Sequence, residues 1–487
     1  MIPPPTLTTV GTGTVISFVA LIALGAVALA QDASQVLLST TAKQPTPTGP
    51  PPPPTCSGTL VSATAGAIQA AVNAHGNNTT FCIAAGTYHE AVIPKSGDVF
   101  WGANIGQTIL DGSNSLTSAF LSNGAAITDV TIKNMTIQHY NGFAGVYPSC
   151  CNGASGWLID TVEVAFNNNE GFDIGPNTTI QNSLIHDNFL NGVHAANGPS
   201  IVANNNDIYA NNTSLSDPCT ATSDSAGQKL SGVTSALYTN NKMHNNNSSG
   251  LWFDITADHR TIAFNEFFGN VNGTQWCGSN GFIDEIGAPH TSYGINLFHD
   301  NYLHDNGPGA DLQLSNSGSW DIYNNTMVQT QNFSGNGGAV IILFDEGARS
   351  DITGCGGTGG LCLLQYIRIY NNIIVTNGDY TYYNQDDGTP GSDWAHSNNQ
   401  WGVPSGNTYY LPASGSALFH CTVSNSGACS TQTSYTFSQW QALSFNPDTN
   451  STAVFNGGTL PNGVGVRGGF VCNSNMGTAA GSLGVCP

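Results

Sequence analysis

Basic residues are nearly missing from this chain. Nine Lys and Arg stand against thirty Asp and Glu in 487 residues, a formal net charge of −21. A surface that negative repels nucleic acid, anionic lipid and strongly anionic polymers, so no nucleic-acid partner and no membrane surface are expected, and a polyanionic substrate is disfavoured. Charge of either sign is scarce too, at 8% of residues, which leaves hydroxyl and amide groups to keep the surface soluble. Among the twelve cysteines no spacing reads as the CxxC of a zinc site, so no metal and no cofactor are expected from them. Basic residues are also absent ahead of the apolar stretch Val15 to Ala30 ("VISFVALIALGAVALA"). That stretch is short for a membrane span and ends in small residues, so residues 1–30 are expected to be an export signal cut before Gln31. The missing positive charge leaves an uncleaved N-terminal anchor as the alternative.

The expected organisation follows from these gaps. Residues 31–55 end in "PTPTGPPPPPT", a stiff polyproline-type linker outside any core. Residues 56–410 carry a repeat, and 411–487 read as a disulfide-containing C-terminal cap with "TYTFSQWQALSFNPD" at 434–448. An even cysteine count in an exported chain fits pairing, with Cys56–Cys82 and Cys355–Cys362 as local candidates and Cys219–Cys277 as a longer one. The protein is expected to be secreted or held at the cell surface, and monomeric.

What is abundant is Gly, 58 residues, and Asn in a recurring motif. "NSLIHDN" (182–188), "NNDIYAN" (205–211), "NNKMHNN" (240–246), "FNEFFGN" (264–270), "DNYLHDN" (300–306) and "NNIIVTN" (371–377) centre on Ile185, Ile208, Met243, Phe267, Leu303 and Ile374. With Ile137, Val164 and Met327 added, successive gaps are 27, 21, 23, 35, 24, 36, 24 and 47 residues. The base period is 21–24, the mid-thirties gaps carry insertions, and 47 is about two units. Short alternating apolar segments lie between the motifs, without helical periodicity. Units this short cannot bury a face alone and must stack. Three short strands per coil, stacked in parallel, fit the length, and Asn at one corner can pass amide hydrogen bonds between coils while tolerating a left-handed bend. "AGAIQAAVNAHGNN" (65–78) has apolar residues at 68, 71 and 72 and predicts one short helix plugging the open end.

The capping helix, the Gly-x-Tyr of "AGTY" (85–88) and the Asp-Gly at 111–112 resemble the right-handed parallel β-helix, the pectin-lyase-like superfamily. The fold expectation is therefore all-β: a right-handed parallel β-helix solenoid with an N-terminal capping helix.

In such a solenoid a residue's place in its coil assigns it to a column. Taking Gly171, Gly192, Gly250, Gly281 and Gly309 as strand starts, odd offsets are apolar and face the core, Asp284 excepted, and Gly227 opens one more strand of the same register. Even offsets face outward: Asp173, His194, Lys229, Trp252, Ile283 and Asp311 at two, then Ala196, Asp254, Glu285 and Gln313 at four. Asp254 and Glu285 thus share a column on adjacent coils, where strands lie about 4.8 Å apart. Two carboxyls about 5–5.5 Å apart suit a retaining glycosidase, with one as nucleophile and the other as acid/base. Lys229 would orient Asp254, and Trp252 would offer a ring face to a sugar. Asp173, His194, Asp311 and Gln313 would line subsites, and the long gaps 209–242 and 268–302, with Trp276, would build walls.

"GLWFDI" followed by "GFIDEI" is similar to the motif pair of glycoside hydrolase family 120, the β-xylosidase family. The resemblance implies nucleophile and acid/base roles for Asp254 and Glu285. Asp284, beside Glu285, is a rival for one carboxylate role. A single Trp or Asp on such a scaffold is ordinarily just scaffold, and His186, His244 and His304 in the corner motifs read as surface or ladder residues. Three function classes follow. The first is a retaining glycosidase on a largely neutral glycan. The second is a lyase or epimerase on uronates, with Lys229 as base and Ca²⁺ on the Asp residues. The third is a non-catalytic glycan-binding surface protein.

Overall fold

The computed structural model describes residues 55–462 except 149–152, 197–199, 216–224, 234, 256–258, 272–278, 288–294, 332–337, 345–363, 365, 387–401, 424–432 and 444–445. The expected signal or anchor, the Pro-rich linker, Trp276, Cys219–Cys277 and Cys355–Cys362 therefore lie outside the described residues. No helix among those described is long and apolar enough to cross a membrane.

Among the described residues, strands of two to eight residues stack into two sheets, one of 24 strands and one of 12, in parallel except for the last pair of the smaller sheet, Phe419–Val423 with Thr433–Tyr435. A coil such as 193–209 gives Val193–Ala196 to the smaller sheet, then Ile201–Asn204 and Asp207–Tyr209 to the larger. Each strand pairs with its counterpart one coil on, as Val193↔Gln228, Ile201↔Ala236 and Asp207↔Lys242 show. Inward residues form one continuous apolar core from Val61 to Trp440. This is the predicted parallel β-helix.

Its start is closed by α1 (Ala67–Ala74), which buries Ile68 and Val72 on the first rungs. No side chain of its own caps it; the Glu90 carboxylate, from the rung below, accepts the N–H groups of Ile68 and Gln69 instead. The expected Cys56–Cys82 bridge ties the first coil to the second strand, and Cys421 is also disulfide-bonded.

The Asn motif resolves into two ladders with the labour divided between neighbours. Asn206, Asn241, Asn265, Asn301, Asn325, Asn372 and Asn407 each donate Nδ2 to the next Oδ1 at 2.9–3.1 Å. Asn167, Asn188, Asn211, Asn246, Asn270 and Asn306 form the same ladder at the next corner, at 2.8–3.1 Å. The left-handed residue is the one before each ladder Asn, for example Asn205, Asn240 and Asp305. Both ladders end on a buried Asp: Asn407 donates to Asp448, and Asn306 to Asp311.

A ring column runs outside the larger sheet. His186, Tyr209, His244, Phe268 and His304 stack in register with centroids 4.7, 5.2, 4.6 and 4.8 Å apart. Burial works against charge on His186, yet Asp187 and Glu163 outweigh it and hold its pKa up at about 9. His304 is held at about 9 by Asp305 and Glu266 against the same burial. Both folded values exceed the unfolded one, so this stabilisation is complete below about pH 6.5 and is lost as pH rises through about 9. Each ring contributes at most on the order of 3 kcal/mol. The urea midpoint should fall between pH 6 and pH 9.5, and the double variant His186→Phe/His304→Phe should flatten that fall. A wild-type midpoint unchanged over this range would refute the coupling.

Candidate active site

Six consecutive strands of the smaller sheet make the site: β1 (Glu170–Ile174), β2 (Val193–Ala196), β3 (Gln228–Ser231), β4 (Leu251–Asp254), β5 (Phe282–Glu285) and β6 (Ala310–Ser315). Most begin just after a stacked glycine. A Cβ on Gly192, Gly227, Gly250 or Gly281 would lie 2.7–2.9 Å from a ladder Asn Nδ2, so only glycine lets the strand pass the ladder.

The register delivers the expected pairing. Lys229 stands opposite Trp252 and Ser231 opposite Asp254, while Asp254 stands opposite Glu285. One outward column therefore reads Asp173, His194, Lys229, Trp252, Ile283, Gln313, and the next reads Ala196, Ser231, Asp254, Glu285, Ser315. Asp254 and Glu285 are both partly exposed. Lys229 Nζ sits 3.0 Å from Asp254 Oδ2 and is almost fully buried. A carboxylate beside a buried ammonium is favoured in its charged form.

Four expectations change. Trp252 is no open platform. It is buried, Lys229 Nζ lies 3.2 Å from its ring centroid, and Ile283 and Ala226 pack on it. Column neighbours at strand spacing cover its faces, so its role is packing and a cation–π contact. Asp284 is no rival for the carboxylate role. It points inward, opposite Phe253 and Leu314, and is fully buried with Arg260, Ser317 and Trp320 Nε1 as partners. Gln313 belongs to the Trp252 column rather than that of Asp254, and Asp311 is displaced likewise. In tight corners four residues separate the ladder Asn from the strand start, as from Asn188 to Gly192, whereas Gly309 follows Asn306 by three. The register position of Gly281 falls on Asp311, two residues after Gly309 and inside the strand, and the Asp311 carboxylate ends the Asn ladder 2.8 Å from Asn306 Nδ2. Burial pushes its pKa up to about 7. It is a structural group, not a subsite.

At the other end of the column, His194 Nδ1 lies 2.9 Å from Asp173 Oδ1 and 3.4 Å from Glu170 Oε2. Burial disfavours the charged ring, but the Asp173 hydrogen bond and the Glu170 charge outweigh it and raise the His194 pKa. Phe143, half exposed, has its ring centroid 6.1 Å from that of His194 and 5.4 Å from that of Tyr147. Glu170, Phe143 and Tyr147 are additions to the sequence reading. Glu170 precedes its strand's glycine, at a corner where strand alternation no longer tells direction, and the aromatics lie on a coil without the full Asn motif.

No protein-family model matches the sequence, and no curated protein matches it. Among solved structures, the A-module of the Azotobacter vinelandii mannuronan C-5 epimerase AlgE4 is similar at TM-score 0.52 and 20% identity, over 70% of this chain and 90% of that one. XylC, in complex with xylose, is similar at TM-score 0.50 and 12% identity, over 72% and 83%. At such identities the likeness shows the fold, a right-handed parallel β-helix.

Proposed function

We propose that the chain is a carbohydrate-active enzyme, a retaining glycoside hydrolase acting on a largely neutral poly- or oligosaccharide. The observation that carries this is the register pair Asp254↔Glu285 on adjacent parallel strands, with Lys229 3.0 Å from Asp254. Strand spacing of about 4.8 Å suits a carboxyl separation of about 5–5.5 Å, too close to seat a water between them as inversion requires. Asp254, kept anionic by Lys229, attacks the anomeric carbon while Glu285 gives its proton to the leaving oxygen. A covalent glycosyl ester on Asp254 results. Glu285, now a carboxylate, takes a proton from water, which displaces Asp254 and restores the starting configuration. The similarity to a protein solved with xylose is in keeping with a neutral sugar.

The test is a panel of aryl glycosides and neutral polysaccharides, with the first-formed anomer read by NMR. Retention is expected; inversion would overturn the role of the pair.

A second reading is uronate chemistry, epimerisation or elimination through removal of the proton beside the carboxylate. It is favoured by the His194–Asp173 contact at 2.9 Å and by the likeness to a mannuronan epimerase module. Lys229 no longer serves it as base, because its ammonium is engaged by Asp254 and Trp252. A chain with nine basic residues also makes a poor cleft for a polyanion, which ranks this reading second. Appearance of an unsaturated product's ultraviolet absorbance, or of an epimerised uronate, would reverse the order.

A further inference from the structure

We propose that Glu170, Asp173 and His194 form a binding site for one divalent transition-metal ion of the zinc type, two to three coils from Asp254. Their ligand atoms lie within 4.8 Å of one another. The same imidazole nitrogen, Nδ1, faces Asp173 Oδ1 at 2.9 Å and Glu170 Oε2 at 3.4 Å. Ligand atoms held about 2.0–2.2 Å from a tetrahedral zinc stand about 3.4 Å from each other, so the three atoms need only small adjustments to enclose an ion.

A second observation points the same way. The Glu170 side chain is 6% exposed, and its Oε2, aimed into the cluster, accepts no hydrogen bond. One Nδ1 hydrogen cannot serve both carboxylates, and Asp173 holds it at the shorter distance. A cation replacing the shared proton would satisfy both oxygens and the nitrogen together. The other Glu170 oxygen is already placed by Asn191 Nδ2 at 3.2 Å, the kind of outer contact that orients a metal-bound carboxylate.

The ligand set selects the metal. Two carboxylates and an imidazole form a mixed oxygen and nitrogen site, suited to zinc-like ions, whereas Ca²⁺ takes six to eight oxygens. Three protein ligands leave a coordination position open, and His194 is 21% exposed, so the site is reachable. Lys229, the next residue in the column, weighs against a cation, but its charge is directed at Asp254. The inference goes beyond the glycosidase reading and does not depend on it. It is incompatible with His194 as the base of the uronate reading, because a metal-bound Nδ1 holds no free lone pair.

The test uses the full chain dialysed against a chelator. Zn²⁺, Co²⁺ and Ca²⁺ are titrated separately by calorimetry, with the visible bands of Co²⁺ as a second readout. One equivalent of Zn²⁺ or Co²⁺ should bind, with Ca²⁺ at least about 100-fold weaker. Glu170→Gln, nearly the same shape, and His194→Ala should each weaken Zn²⁺ by more than about 100-fold, and Asn191→Ala by about 10-fold or more. Circular dichroism confirms that each variant is folded. The proposal is overturned if the folded wild type binds neither Zn²⁺ nor Co²⁺, prefers Ca²⁺, or binds Zn²⁺ with an affinity indifferent to Glu170→Gln. A folded wild type that turns over aryl glycosides but binds neither Zn²⁺ nor Co²⁺ would refute this inference alone; a wild type that binds the metal but turns over no glycoside would refute only the catalytic reading.

Discussion

Exchange of Asp254 for Asn, or of Glu285 for Gln, should lower kcat on an aryl glycoside by about 10³-fold, a loss typical of removing a reacting carboxylate. The two variants should differ in kind. With a good leaving group the first step needs little protonation, so Glu285→Gln should slow chiefly the breakdown of the glycosyl ester. It should release product in a burst and be rescued by azide with retained configuration. Asp254→Asn removes the nucleophile, so azide should give the opposite anomer. Lys229 adds a check on stability. In the Asp254→Asn variant its buried ammonium keeps an amide oxygen as partner but loses the opposing charge. That exchange should cost about 1–3 kcal/mol of stability, and Glu285→Gln much less. Rates are therefore compared on protein shown to be folded. Full turnover by both variants would remove the pair from the chemistry.

The largest stability effect is expected inside the solenoid. Asp284 and Arg260 are both fully buried, with Arg260 also bonded to Asn296 and packed beside Phe253 and Trp320. Asp284→Ala would leave a guanidinium uncompensated in the core, at a cost of about 3–5 kcal/mol. The paired change Arg260→Met/Asp284→Leu should recover most of that loss, because well-packed apolar side chains replace both charges. Denaturant midpoints of the three proteins check this. A variant Asp284→Asn that kept its midpoint but lost turnover would instead return Asp284 to the catalytic pair.

Legibility tracked periodicity. The Asn motif disclosed the coil length, and the spacing of Gly250, Asp254, Gly281 and Glu285 disclosed a shared column, because parallel coils repeat their register without adjustment. The same reasoning failed at Gly309, where a glycine of the sequence is not the glycine of the corner and the register is offset by two residues. Asp284 was recognisable as a charged residue on the inward parity, but its partner Arg260 comes from the other sheet and carries no signal in local spacing. Glu170 escaped notice because the corner, not strand alternation, turns it toward His194.

The order of residues alone determined the solenoid, its three strands per coil and the adjacency of Asp254 and Glu285, since these depend on a repeat and on alternation by two. Only the tertiary structure decided what covers each side chain. It closed the faces of Trp252 with Lys229 and Ile283, sealed Asp284 against Arg260, and brought Glu170 to His194 and Asp173. The physical reason is that covering and pairing depend on atoms from other coils and the opposite sheet, brought close by stacking rather than by distance along the chain.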